Sequence, residues 1–189
     1  ALPISNLGII NGVTFHNYVG NHGNTSRGRM TYRNVQFGGA PFIVVVNPTK
    51  SPAVPTDLKF PQVVKFADVT DGLSATLMVS ETFQGKDGDL HGFAWWGGGS
   101  HFETYLTPNT SQPDVMENIS YCKPNSRLNV ACIGWTDGTW ETIAARSRHP
   151  GGVNAAMCDA SVRFVTNNVS LDNWRAAGTA AGGDPVGEL

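Results

Sequence analysis

Apolar positions along the chain fall in short runs separated by clusters of Gly, Pro, Asn, Asp and Ser. No run sustains the three- and four-residue spacing of a long amphipathic helix, so the pattern predicts strands and loops. The β-branched run at 42–46 predicts a strand. Prolines at 48, 52, 55 and 61 make the following stretch a loop, since proline cannot donate to a sheet ladder. Residues 63–81 predict strand, turn and strand. Asp71-Gly72 forms the turn or caps a short helical turn, and 76–80 is extended.

The C-terminal part reads most clearly. Residues 152–158 and 161–165 predict a hairpin about Asp159-Ala160. A two-residue type I′ turn wants positive φ at both central positions; Ala160 suits that poorly, which leaves another turn type open. Ser170 predicts the N-cap of a short helix through Ala177, with Asp172 in its first turn, Gly178 as a left-handed stop and Trp174 as a buried anchor. Residues 83–146 read as an elaborated loop insertion with a few short strands, a length expected to be functional or locally stapled. The fold class is α+β: one domain over 1–189, mainly antiparallel sheet, long Gly/Pro-rich loops and a short C-terminal helix.

Composition narrows this further. Charged residues are 15% and hydrophobic ones 40%, with Gly 22 and Pro 11. That excludes a coiled coil or helical bundle. Five Trp, nine Phe and four Tyr exclude a disordered tail. A net charge of -2 with 13 scattered Lys and Arg argues against a nucleic-acid partner. No apolar stretch reaches the ~18 residues of a membrane span, and Ala1 opens no signal peptide. Cys122 and Cys132 flank nine residues and can close a disulfide or stay reduced, while Cys158 reads as buried packing. Few Lys and many Asn, Thr and Gly point to an extracytoplasmic (periplasmic, surface or secreted) location.

SRHPGGVNAAMCDASVRFV (147–165) resembles the C-terminal signature of a large planctomycete-type family of unknown function: a His, nine residues, then Asp-Gly. FADVTDGLSATLMVSE (66–81), LDNWRAAGTAAGGDPVGEL (171–189) and HNYVGNHG (16–23) resemble three further blocks of it. Here Asp159-Ala160 replaces Asp-Gly and Ser80-Glu81 replaces Gly-Glu. Members carry a prepilin-type leader and a hydrophobic N-terminal helix and are similar to the major pseudopilins of type II secretion. The resemblance implies a pseudopilin-like fold, of which this chain is the globular part. It also implies self or other pilin-like subunits as partners, and Ca²⁺, which those pseudopilins bind in a C-terminal loop.

The chain holds no Gly-x-Ser-x-Gly elbow, no His-Glu-x-x-His helix, no P-loop and no dinucleotide fingerprint. Carboxylates in Gly-rich loops remain. In 83–101, Asp87 and Asp89 flank Gly88 like half of an oxygen-ligand loop for Ca²⁺, or form a solvated turn. Asp68, Asp71 and Glu81 are further candidate metal ligands. Asp71 otherwise caps a turn, and Glu81, expected buried, pairs with Arg148 or His149. In the structural case Asp71, Glu81, Arg148 and His149 are expected to form one buried polar network. His91, His101 and His149 are the candidate general bases. Two functions follow. One is a Ca²⁺-binding domain for assembly or surface interaction, without chemistry of its own. The alternative is a Ca²⁺-dependent hydrolase of small esters or lactones, N-acyl-homoserine lactone among them, with Trp95 and Trp96 as an apolar wall.

Overall fold

The computed structural model describes residues 15–43, 63–85, 88–94, 98–123, 131–136 and 139–189. Among them form β1 (Tyr18–Asn21), β2 (Leu77–Glu81), β3 (His101–Phe102), β4 (Asp114–Met116), β5 (Cys132–Gly134), β6 (Gly152–Met157), β7 (Val162–Thr166) and the helix α1 (Leu171–Ala177). The main sheet has five strands in the order β3-β1-β2-β6-β7. Its pairings are antiparallel except that of β3 with β1, which is parallel. β4 and β5 make a separate parallel pair. The chain is α+β, mainly antiparallel, with a short C-terminal helix. No helix among the described residues is long and apolar enough to cross a membrane.

The two-residue period of the strands sends one set of side chains inward. Val19, Leu77, Val153, Ala155, Met157 and Val165 form the main core with Phe102 and the α1 residues Trp174 and Ala177. Trp174 is fully buried, and its indole Nε1 donates to the Leu106 carbonyl at 2.9 Å, so the anchor buries no unpaired donor. Helix α1 starts at Ser170, whose hydroxyl accepts from the Asn173 amide at 3.2 Å. Gly178 ends it in a right-handed conformation, φ -78, rather than the left-handed one expected. Glycine is needed there for space, because a Cβ would run into the side chain of Thr104.

A second core packs Phe15, Leu90, Met116 and Ile143 around Cys122 and Cys132, which form a disulfide with Cα atoms 5.9 Å apart. This satellite, carrying β4 and β5, is the stapled part of the insertion. Cys158 is a buried free thiol, pushed up to about 11 by burial and by Asp159.

Two further local expectations need correcting. The first strand expected within 63–81 is a 3-10 turn, Phe66–Asp68, with Phe66 71% exposed. The Asp68 carboxylate accepts from the Lys65 amide at 2.7 Å, and this local capping bond draws the backbone away from the sheet. The hairpin turn holds three residues, 158–160. Met157 and Ser161 close it, and Ala160 alone takes positive φ, 68°. That is a type I turn followed by a left-handed residue. The strand expected at 42–46 lies outside the described residues beyond position 43, and 41–43 form none.

Candidate metal centre

β1 and β3 meet in parallel register, Gly20 opposite His101 and Asn21 opposite Phe102. The chain continues past β1 into His22, whose amide donates to the Phe102 carbonyl at 2.9 Å. Alternation then decides the faces. Asn21 and Phe102 point into the main core, and His22, His101 and Glu103 take the other side. Asn21 locks the bend: its side chain donates to Leu77 and Gly178 carbonyls at 2.7 and 3.0 Å and accepts from the Gly23 amide at 2.8 Å. Gly23 turns with φ +103, a conformation that glycine adopts without strain.

The ligand atoms of His22, His101 and Glu103 all lie within 4.8 Å of one another. The two imidazoles stack at 4.6 Å. Glu103 Oε2 accepts from the Ile143 amide at 2.8 Å, which ties the cluster to the satellite core. Its Oε1 faces His101 Nε2 as an ion pair at 3.1 Å and is buried without a geometrically formed hydrogen bond. His22 Nδ1 is likewise buried without a partner, as are the hydroxyls of Thr25 and Ser26. Burial holds His22 well below its ordinary value, helped by His101, Arg27 and Arg29, so its imidazole is neutral with a lone pair available. Burial works against charge on His101 too, but Glu103 and Glu141 outweigh it and hold that ring above its ordinary value.

Glu141 stands beside this group. Its Oε2 pairs with Arg27 Nη1, while Oε1 is buried without a partner. Burial pushes its carboxyl up, against the pull of His101 and Arg27. Arg27 also reaches Glu117 at 3.3 Å.

The candidates from the sequence divide among other partners. Asp89 Oδ1 takes the His91 amide at 3.0 Å and His91 Nδ1 at 2.6 Å, and its Oδ2 takes the Lys123 amide at 3.1 Å. The far side of His91 lies 3.3 Å from Asp114, which Arg146 clamps from Nε and Nη2 at 2.8 and 2.9 Å. Burial disfavours the charged ring of His91, but Asp114 and Asp89 outweigh it and push it up to about 9. Burial likewise opposes the Asp114 charge, and Arg146 with His91 holds that carboxyl below its usual range. Asp87, Trp95 and Trp96 lie outside the described residues.

Glu81 accepts from the Asn154 amide at 2.7 Å and meets His149 Nε2 at 3.0 Å, with His149 half exposed. Of the four residues expected to form one network there, Glu81 and His149 pair. Arg148 lies over the Phe83 ring at 5.9 Å. Asp71 instead holds the C-terminal tail, accepting from Thr179 Oγ1 and the Gly182 and Gly183 amides at 2.7, 2.8 and 2.9 Å. Asp68 caps its own turn. The three histidines named from sequence thus have three separate sets of partners. His101 alone joins the cluster, and it does so with His22 and Glu103, Glu141 standing beside them; the sequence reading singled out none of these three. The usable signal was His101-Phe102-Glu103, imidazole and carboxylate two apart on a strand.

Comparison with curated proteins and with solved structures finds no match. A family model described as "Protein of unknown function (DUF1559)" matches residues 11–172, a span that includes His22, His101, Glu103 and Glu141. This chain belongs to that family.

Proposed function

We propose that this chain is an extracytoplasmic metal-binding domain serving assembly or surface interaction, with its cation held by His22, His101 and Glu103. One observation carries the reading. Three ligating side chains converge within 4.8 Å, and His22 Nδ1 and Glu103 Oε1 are buried there with no hydrogen-bond partner. A buried polar atom without a partner costs about 1–3 kcal/mol, and a bound cation would remove that cost. Two imidazoles and a carboxylate suit zinc or a neighbouring first-row divalent ion. Calcium prefers oxygen ligands alone, so it is a proposal for the 87–89 loop, where both Asp89 oxygens already accept hydrogen bonds.

The disulfide supports an oxidising compartment. A pseudopilin-like role, with copies of itself or other pilin-like subunits as partners, rests on the resemblance of 147–165. Hydrolysis of small esters or lactones has less behind it. His91 is enclosed by two aspartates, and Glu103 is 1% exposed, which leaves little room for a substrate.

Calorimetric titration of chelator-stripped protein tests the reading. Zinc should bind at about one equivalent and raise the melting temperature, and calcium should not bind at this cluster. Absence of zinc binding would remove the centre from the account.

A further inference from the structure

The trio supplies three ligands, whereas a tetrahedral cation takes four. A catalytic site leaves the fourth position to water, and a structural site closes it with the protein. Which of these the chain builds is decided by what stands at the open side.

Glu141 is a further buried carboxylate beside the trio: it lies outside the 4.8 Å group, but its charge acts on His101 and Glu103. Its backbone carbonyl accepts from the Arg27 amide at 3.1 Å, five residues beyond His22. Two residues after Glu141, the Ile143 amide donates to Glu103 Oε2 at 2.8 Å. The chain around Glu141 is therefore tied on one side to the loop that follows His22 and on the other to the carboxylate of Glu103. Glu141 is 4% exposed, and its Oε1 has no partner. Arg27 holds only the other oxygen, and it already touches Glu117, which can keep the guanidinium neutralised when Glu141 turns away. Charge favours that turn. Two neutral imidazoles and one carboxylate leave a divalent cation with one uncompensated positive charge, and a second carboxylate cancels it in a site shielded from water.

We infer that Glu141 is the fourth ligand, so that the cation is enclosed by His22, His101, Glu103 and Glu141 with no exchangeable water. This rests on the proposed metal centre and deepens it: a closed shell makes the ion structural, joining the β1–β3 edge to the satellite, and leaves no metal-bound water for hydrolysis.

Cobalt(II) reports coordination directly, because its visible absorption is intense in a four-coordinate tetrahedral shell and weak at higher coordination number. The probe is Co²⁺ alone, titrated into the full chain and displaced by Zn²⁺. The wild type should give the intense spectrum. Glu141→Gln, with folding checked by circular dichroism, should bind at least tenfold more weakly and lose that spectrum. If Glu141→Gln does not fold, Glu141→His decides: a nitrogen ligand in place of oxygen shifts the bands, and an unshifted spectrum overturns the inference. Equal affinity and an unchanged spectrum in Glu141→Gln also overturn it while leaving the three-residue centre standing. If the wild type binds neither cobalt nor zinc, both readings fall together.

Discussion

Two buried polar groups flank the seam between the main sheet and the satellite, and they are built on opposite principles. Around His91, Asp89, Asp114 and Arg146 make two negative and two positive groups, each held by further bonds. Arg146, for example, also donates to the Thr110 and Gln112 carbonyls at 2.7 and 3.0 Å. Around His101, by contrast, His22 Nδ1, Glu103 Oε1 and Glu141 Oε1 are buried without hydrogen-bond partners. The first group leaves one buried atom without a hydrogen-bond partner, His91 Nε2, which still faces Asp114 at 3.3 Å, so the group is close to complete within the protein and serves the fold. The second is complete only with something added, so it is the candidate for function. Both contain an imidazole near carboxylates, and burial alone would not tell them apart; the two unsatisfied carboxylate oxygens of the second group do, because both oxygens of Asp89 and of Asp114 accept hydrogen bonds.

Removing charge from the two groups should therefore have unequal effects. Asp114→Asn leaves Arg146 and His91 buried with one partner fewer. It should cost about 3–5 kcal/mol, read as a lower urea midpoint. A loss under 1 kcal/mol would mean that the two groups do not differ as described.

The His91 group also predicts a pH dependence. Its imidazole is pushed up to about 9 in the folded chain, against an ordinary value of 6.5. Because the folded-state value is raised, its contribution is fully present below about pH 6.5 and is lost as pH rises through about 9. Chelator-treated protein should lose roughly 3 kcal/mol across that window. His91→Gln should be less stable at neutral pH and should show a flatter profile. An equally steep profile in the variant would place the titrating group elsewhere.

The cluster at His101 should respond weakly by the same test when no metal is bound. Glu103→Gln removes a buried charge and can keep the hydrogen bond from Ile143. Its stability should change by less than about 1 kcal/mol in chelator, while zinc stabilisation is lost. A large loss in chelator would mean that Glu103 is as necessary to the bare fold as Asp114. The smallest effect lies outside both groups and calibrates them. Ala160 is the left-handed residue of the hairpin, and Ala160→Gly should stabilise by about 0.5–1 kcal/mol.

What the sequence disclosed follows the range of the forces involved. The hairpin and α1 were legible because strict alternation, a serine cap and one tryptophan act within a few residues of each other. The segment after 63 was misread because Asp68 makes a local bond that hydrophobic pattern does not encode. His101 was visible as a histidine near carboxylates, but its partners depend on long-range pairing. The parallel register of Gly20 with His101 brings His22 beside Glu103, and the Ile143 amide bond brings in Glu141. Parallel strands need a long connection, and nothing local in HNYVGNHG announces one. Asp89 misled for the reverse reason. Asp-Gly-Asp looks like a loop open to a cation, yet the histidine two residues on and a distant backbone amide already take its oxygens.

The central claim is that His22 Nδ1 and Glu103 Oε1, buried without hydrogen bonds, face a bound cation. Anomalous diffraction at the zinc edge, from crystals grown with one equivalent of zinc, tests it most directly. The account predicts one strong peak about 2.0–2.2 Å from ring nitrogens of His22 and His101 and from Glu103 Oε1. An ordered water without anomalous signal at that position, or zinc bound elsewhere while those atoms stay as they are, would contradict it.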